Sequence, residues 1–171
     1  MKRFVKLVGL TLASVLGSPA HAGQGEKVDL PAPQVGGTNQ DGKIVSFADV
    51  YAKGPTVVFF YPKANTPGCT RQACSLRDAF DELSKQGVQV LGVSVDRPDA
   101  QKKFITDHKL PFDLIADPDG KVLEAFKVDR MPLVGLATRQ CFLIKNGRIV
   151  WHDAKAATDQ QAEDIKRVLK E

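Results

Sequence analysis

The chain has 171 residues, with 24 Lys+Arg, 20 Asp+Glu, three Cys and three His. At 43% hydrophobic and 26% charged it is ordinary globular material, which excludes a disordered or fibrous chain, and the length suits one domain. Three cysteines are too few for a disulfide-built scaffold. The few Cys and His residues also stand at no recognisable zinc spacing, and neither G-x-G-x-x-G nor G-x-x-x-x-G-K-[ST] occurs.

Residues 1–22 read as a cleaved secretory signal peptide. Lys2, Arg3 and Lys6 form a positive start, Leu7 to Leu16 a short apolar run, and Ala20-His21-Ala22 a small-residue cleavage site. A membrane anchor needs about 20 apolar residues, roughly twice this run. Cleavage after Ala22 leaves 23–171 as a single domain, periplasmic or secreted, with no stable membrane association. The leader holds three basic residues and no acidic one, so the remainder carries a net charge of only +1. Its basic pairs, Lys102-Lys103 and Lys166-Arg167, are scattered, which argues against nucleic acid as a partner.

Gly23 to Val28 reads as a polar leader. Asp41-Gly42 followed by Lys43 to Phe47 predicts an N-terminal hairpin. Thr56-Val57-Val58-Phe59-Phe60 reads as a buried parallel strand. Cys69 to Lys85 reads as one helix, with Ala73, Leu76, Phe80 and Leu83 spaced by three and four and Gly87 ending it. Val88 to Val95 is a second buried strand, and Asp96-Arg97-Pro98-Asp99 opens another helix. Phe112 to Ala116 suggests a short strand, and Val122 to Phe126 a short helix. Phe142 to Ile144 and Arg148 to Trp151 flank Asn146-Gly147, a strong hairpin turn. Thr158 opens the last helix, with Gln161 as its capping-box partner. Alternating strands and helices, closed by a hairpin and a helix, argue for one α/β domain with a mixed sheet.

Residues 59–78, FFYPKANTPGCTRQACSLRD, run from a buried strand through a Pro/Gly loop into a helix. Cys69 falls in the helix's first turn, where free N–H groups and the positive dipole end favour a thiolate, the reactive form of cysteine. The alternative is a buried, inert thiol; the small polar residues Thr66, Gly68 and Thr70 weigh against it.

Pro62, Thr66 and Cys69 form P-x-x-x-T-x-x-C, which resembles the peroxidatic signature of peroxiredoxins. The wider stretch Y-P-K-A-N-T-P-G-C-T-x-Q-A-C-x-L-R-D is similar to the bacterioferritin-comigratory (PrxQ-type) subfamily. Weaker agreement extends over most of the mature chain, including Ala32-Pro33, Asp41-Gly42-Lys43, Leu91 to Asp96 and Arg139 to Arg148. The resemblance implies a thioredoxin-like fold, its mixed central sheet flanked by helices and extended by the N-terminal hairpin. It implies a thiol-dependent peroxidase acting on hydrogen peroxide or organic hydroperoxides, with no cofactor or metal.

Cys69 would then be the peroxidatic cysteine. Thr66 would hydrogen-bond thiolate and peroxide, and Pro62 would shield the sulfur. Arg139 would hold the thiolate and polarise the peroxide, as suits a permanently charged donor. Cys74 matches the resolving cysteine, which would close an intramolecular disulfide. If both cysteines lie in one regular helix, their Cα atoms stand roughly 8–9 Å apart. A disulfide needs about 7 Å or less, so the helix would have to unwind. The reductant would be a thioredoxin-like protein or a small thiol, and the protein would be a monomer.

Two departures from the subfamily stand out. Val128 to Ala137 is shorter and more apolar than the usual loop before the arginine. Cys141 replaces the commoner Thr or Ser, on the same strand side as Arg139; inert packing is favoured over an alternate thiol partner. Trp151, His108 and His152 read as structural or surface residues. A thiol–disulfide oxidoreductase would want C-x-x-C, and a binding module without chemistry would have no need of Thr66, Cys69, Cys74 and Arg139 together.

Overall fold

A computed structural model describes residues 25–171. The expected signal peptide, residues 1–22, lies outside the described residues.

The elements run β1 (Glu26–Pro31), β2 (Gly36–Asn39), β3 (Ile44–Ser46), α1 (Phe47–Tyr51), β4 (Thr56–Phe60), α2 (Pro67–Asp78) and α3 (Phe80–Lys85). Then follow β5 (Gln89–Ser94), α4 (Pro98–His108), β6 (Asp113–Ala116), α5 (Lys121–Ala125), β7 (Gln140–Lys145), β8 (Arg148–Asp153) and α6 (Gln161–Leu169). Among the described residues the strands form one eight-stranded sheet in the order β1-β8-β7-β4-β5-β6-β2-β3. The sheet is mixed: β4 is parallel to β5 and antiparallel to β7.

β4 sits at the centre and is buried along its whole length, which its unbroken apolar run requires. Side-chain alternation divides that run between two cores. Val57 and Phe59 face a core built with α2, α3, α4 and α6; Val58 and Phe60 face one built with α1 and α5. Gly92 on β5 is required by packing, since a Cβ there would stand 2.5 Å from Leu114 Cδ2 and 2.7 Å from Phe59 Cζ.

Both expected hairpins form. β2 pairs β3 across the Asp41-Gly42 turn, and β7 pairs β8 across Asn146-Gly147, both in the left-handed region at φ 53° and 71°. Four expectations need correction. The residues read as a polar leader, Gly23 to Val28, include the first half of β1, which pairs antiparallel with β8 at the sheet edge, where charged side chains are tolerated. Phe47, placed in the hairpin, begins α1, capped by Ser46 Oγ accepting from Asp49 N. The single helix read over Cys69 to Lys85 is two, broken at Ala79 (φ −95°, ψ −1°). Finally, the capping box at Thr158 does not form. The Thr158 hydroxyl bonds the Asp159 carboxylate at 2.9 Å, and α6 starts at Gln161 without a side-chain cap.

The apolar stretch before Arg139 is a closed loop. Arg130 bridges Ala137, and Met131 N donates to Leu136 O at 2.7 Å. Leu133 and Val134 at its tip are exposed.

Candidate active site

The end of β4 is tied to its neighbour by Tyr61 N donating to Val93 O at 3.1 Å. The chain then turns through residues 62–66 into α2. Asp96, just beyond β5, fixes that turn: its Oδ2 accepts from Ala64 N and from Ser94 Oγ, both at 2.7 Å. Beneath it, Gln101 donates to Ser94 Oγ at 2.9 Å and to Ile115 O at 3.1 Å, and its Oε1 accepts from the buried Tyr61 hydroxyl. Asn65 adopts φ 58°, and its Oδ1 accepts from His108 Nε2 at 3.0 Å. The loop that delivers the cysteine is therefore held at both ends.

Thr66 is the N-cap residue of α2 and Pro67 its first residue, where a missing N–H costs nothing. Cys69 is the third residue and is only 1% exposed. Its Sγ accepts from Arg139 Nη2 at 3.5 Å. The half-buried Arg139 reaches it from the residue before β7. Gly68 leaves room for this approach, because a Cβ there would stand 3.1 Å from Arg139 Nη2. Arg139 Nη1 donates to Gln72 Oε1 at 2.6 Å, a short charge-assisted bond that pins the guanidinium.

Cys69 and Arg139 thus meet, although 70 residues separate them. The Thr66 hydroxyl is placed differently from expectation: it donates to Lys63 O at 2.9 Å, so its proton is committed to the loop and not to the sulfur. Pro62 is half-buried in the same loop. Cys74 is half-buried further along α2, and all three cysteines are free thiols. Because α2 runs unbroken from Pro67 to Asp78, both Cys69 and Cys74 lie in one helix.

Cys141 shares the apolar core of Cys69, beside Phe59 on β4 and Asp153 on β8. Burial pushes its thiol well above the ordinary range, and the charges of Asp153 and Asp164 add to the shift, so it stays protonated. Trp151 is a core residue. His152 stacks on Phe142 with centroids 4.3 Å apart and meets Gln140 Oε1 at 2.8 Å, a structural role.

The matched stretches contain both Gln72 and Asp96, but the resemblance gave neither a role. A signal for Gln72 existed: it stands four residues before Leu76, on the apolar face of α2.

An α/β fold with a thiol at a helix start, faced by a fixed guanidinium, has counterparts among known proteins. The sequence pattern of the AhpC/TSA family matches residues 28–152, and the chain belongs to that family. Peroxiredoxin Bcp of Escherichia coli (strain K12) is 47% identical over 97 residues, 57% of this chain and 62% of that protein. The chloroplastic peroxiredoxin Q of Gentiana triflora is 39% identical over 118 residues, 68% of this chain and 54% of that protein. The matches thus span little more than half the length of these curated relatives. Among solved structures, peroxidoxin BcpB of Mycobacterium tuberculosis superposes with a TM-score of 0.78 at 28% identity, covering 84% of this chain and 96% of that one. The fold is the thioredoxin-like peroxiredoxin fold.

Proposed function

We propose that the protein is an exported thiol-dependent peroxidase that reduces hydrogen peroxide and organic hydroperoxides at Cys69. The observation that carries this reading is the Arg139 guanidinium 3.5 Å from a buried sulfur in the first turn of α2. Guanidinium and helix dipole both favour negative charge there.

The thiolate sulfur attacks the nearer peroxide oxygen in line with the O–O bond. The S–O bond forms as the O–O bond breaks, and the leaving oxygen takes a proton to depart as water or an alcohol. Arg139 donates to the oxygens as that charge develops. With its proton held by Lys63 O, the Thr66 oxygen is left to accept from the peroxide O–H. Pro62 limits water at the sulfur. Cys69 becomes a sulfenic acid, the first rung of thiol oxidation.

Cys74 then attacks the sulfenic sulfur. An S–S bond forms and hydroxide leaves as water. A thioredoxin-like dithiol or a small thiol reduces the disulfide, closing a cycle in which two electrons and two protons convert one peroxide. No metal or cofactor takes part. The protein acts as a monomer in the periplasm or outside the cell, a location supported by the pattern of residues 1–22.

The test is peroxide consumption by the mature chain with dithiothreitol, compared with Cys69→Ser. Turnover in the wild type and none in the variant is expected. An inactive wild type, or an active Cys69→Ser, would remove Cys69 from the reaction.

A further inference from the structure

The hydrogen bonds behind Arg139 do not stop at Gln72. Arginine carries donors and no acceptor, so an amide facing it must present its oxygen. Gln72 does so, at 2.6 Å from Nη1. Its NH2 is thereby turned the other way, where it donates to Gln161 Oε1 at 3.0 Å. Gln161 is oriented in turn: its oxygen faces Gln72 and its Nε2 faces away from the site. Both glutamines are fully buried, and they come from helices 89 residues apart in sequence.

At Gln161, packing alone does not call for an amide. Gln161, Ile165 and Val168 lie at helical spacing on the buried face of α6, where an apolar side chain would serve at Gln161. Burying an amide there is costly unless it is bonded. Among the described residues Gln161 Nε2 has no hydrogen-bond partner. The side chain's amide is therefore held through its oxygen, and that oxygen serves Gln72.

We infer that Gln161 is a positioning residue for the reacting cysteine: it anchors the NH2 end of the Gln72 amide, and through Gln72 it holds Arg139 against the Cys69 sulfur. Without the Gln161 acceptor, the Gln72 NH2 loses its partner in a buried site, and the Gln72 side chain keeps only its bond to Arg139. The amide would then shift to find another partner and draw away from the guanidinium. Arg139, only half-buried, would swing toward solvent and leave the sulfur. This role rests on the proposed chemistry of Cys69, to which it adds a residue on a distant helix.

The test compares Gln161→Met, close in size but without an acceptor, with Val168→Ala, which loosens α6 without touching the relay. Gln161→Ala, a strong helix former, serves as a second variant should the methionine fold poorly. Two readouts are taken: the rate at which hydrogen peroxide oxidises Cys69, and the pH profile of Cys69 alkylation by iodoacetamide. Each is repeated in a Gln72→Met background.

Loss of Gln161 is expected to slow oxidation on the order of three- to tenfold, the scale of coupling within one hydrogen-bond network. It should also move the alkylation profile to higher pH, while Val168→Ala changes neither. With Gln72 already removed, losing Gln161 should add nothing. The inference is overturned if Gln161→Met behaves like Val168→Ala, or if its effect is equal with and without Gln72. Alkylation needs no peroxide, so it judges Gln161 even if the wild type fails to turn over.

Discussion

Closing the disulfide between Cys69 and Cys74 must break α2. Five residues of regular helix separate their Cα atoms by roughly 8–9 Å, and a disulfide spans at most about 7 Å. Both cysteines are free thiols within an unbroken Pro67–Asp78 helix. Oxidation therefore opens the turns between them and withdraws Gln72 and Ala73, both fully buried, from their sites. Gln72 loses its bonds to Arg139 and Gln161, together about 3 kcal/mol. Exposing the Ala73 methyl costs about 1 kcal/mol more. The small covalent loop restricts the unfolded chain and returns about 2 kcal/mol. The oxidised form should then be less stable by about 2 kcal/mol, a Tm lower by roughly 4–8 °C for a domain of this size. Amide exchange supplies the local readout. Protection of residues 71–76 should fall on oxidation and return with dithiothreitol. The first turn of α6 should loosen with it, because Gln161 loses its partner in α2. Unchanged protection of residues 71–76, with the Cys69–Cys74 bond verified in the same sample, would refute the reasoning.

Three further outcomes are expected. Arg139→Lys keeps the charge but loses the fork that bonds Gln72 and Cys69 together, so peroxide oxidation of Cys69 should slow at least tenfold, on the scale of removing one fixed charge-stabilising donor; stopped-flow kinetics checks this. Cys141→Ser should leave dithiol-driven turnover almost unchanged while lowering stability by about 1 kcal/mol through a buried hydroxyl, measured by urea denaturation, and iodoacetamide should leave Cys141 unmodified in the folded protein. Burial raises the Asp153 carboxyl above its ordinary 3.8, outweighing the bond from Lys155 N, so the folded state holds this proton more tightly than the unfolded state. The group therefore favours folding below its unfolded value and penalises it as pH climbs through the folded value. Relative to Asp153→Asn, the wild type should lose stability as pH rises above about 4, the unfolded value of the carboxyl, and a difference in urea midpoints that stays constant as pH rises from there would contradict the assignment.

What the sequence revealed follows from how local each signal is. The buried strands were legible because β-branched and aromatic runs such as Thr56 to Phe60 have few other uses, and Asn146-Gly147 marks its turn chemically. The break at Ala79 was not legible: Ala73, Leu76, Phe80 and Leu83 keep helical spacing across it, so periodicity carries no trace of the kink. β1 was hidden by Glu26, Lys27 and Asp29, whose charges suit an edge strand as well as a leader. The start of α6 was misread because Thr158 spends its hydroxyl on Asp159 and a buried glutamine opens the helix. At the site, Cys69 was legible from its place at a helix start and from its motif, and Arg139 from the motif alone. Gln72 and Gln161 act through contacts between residues 67 and 89 positions apart, which no local pattern encodes. Gln72 stands inside the motif but without a role, and the trace of Gln161 was indirect, a polar residue on the apolar stripe of its helix.

The most direct test of the account is a single turnover without reductant. The reduced chain is mixed with one equivalent of hydrogen peroxide, residual peroxide is measured, and the protein is digested under non-reducing conditions for mass spectrometry. The account predicts that one peroxide is consumed per chain and that one peptide links Cys69 to Cys74, with Cys141 still a free thiol. Peroxide left unconsumed, or a dominant link between Cys69 and Cys141, would contradict it.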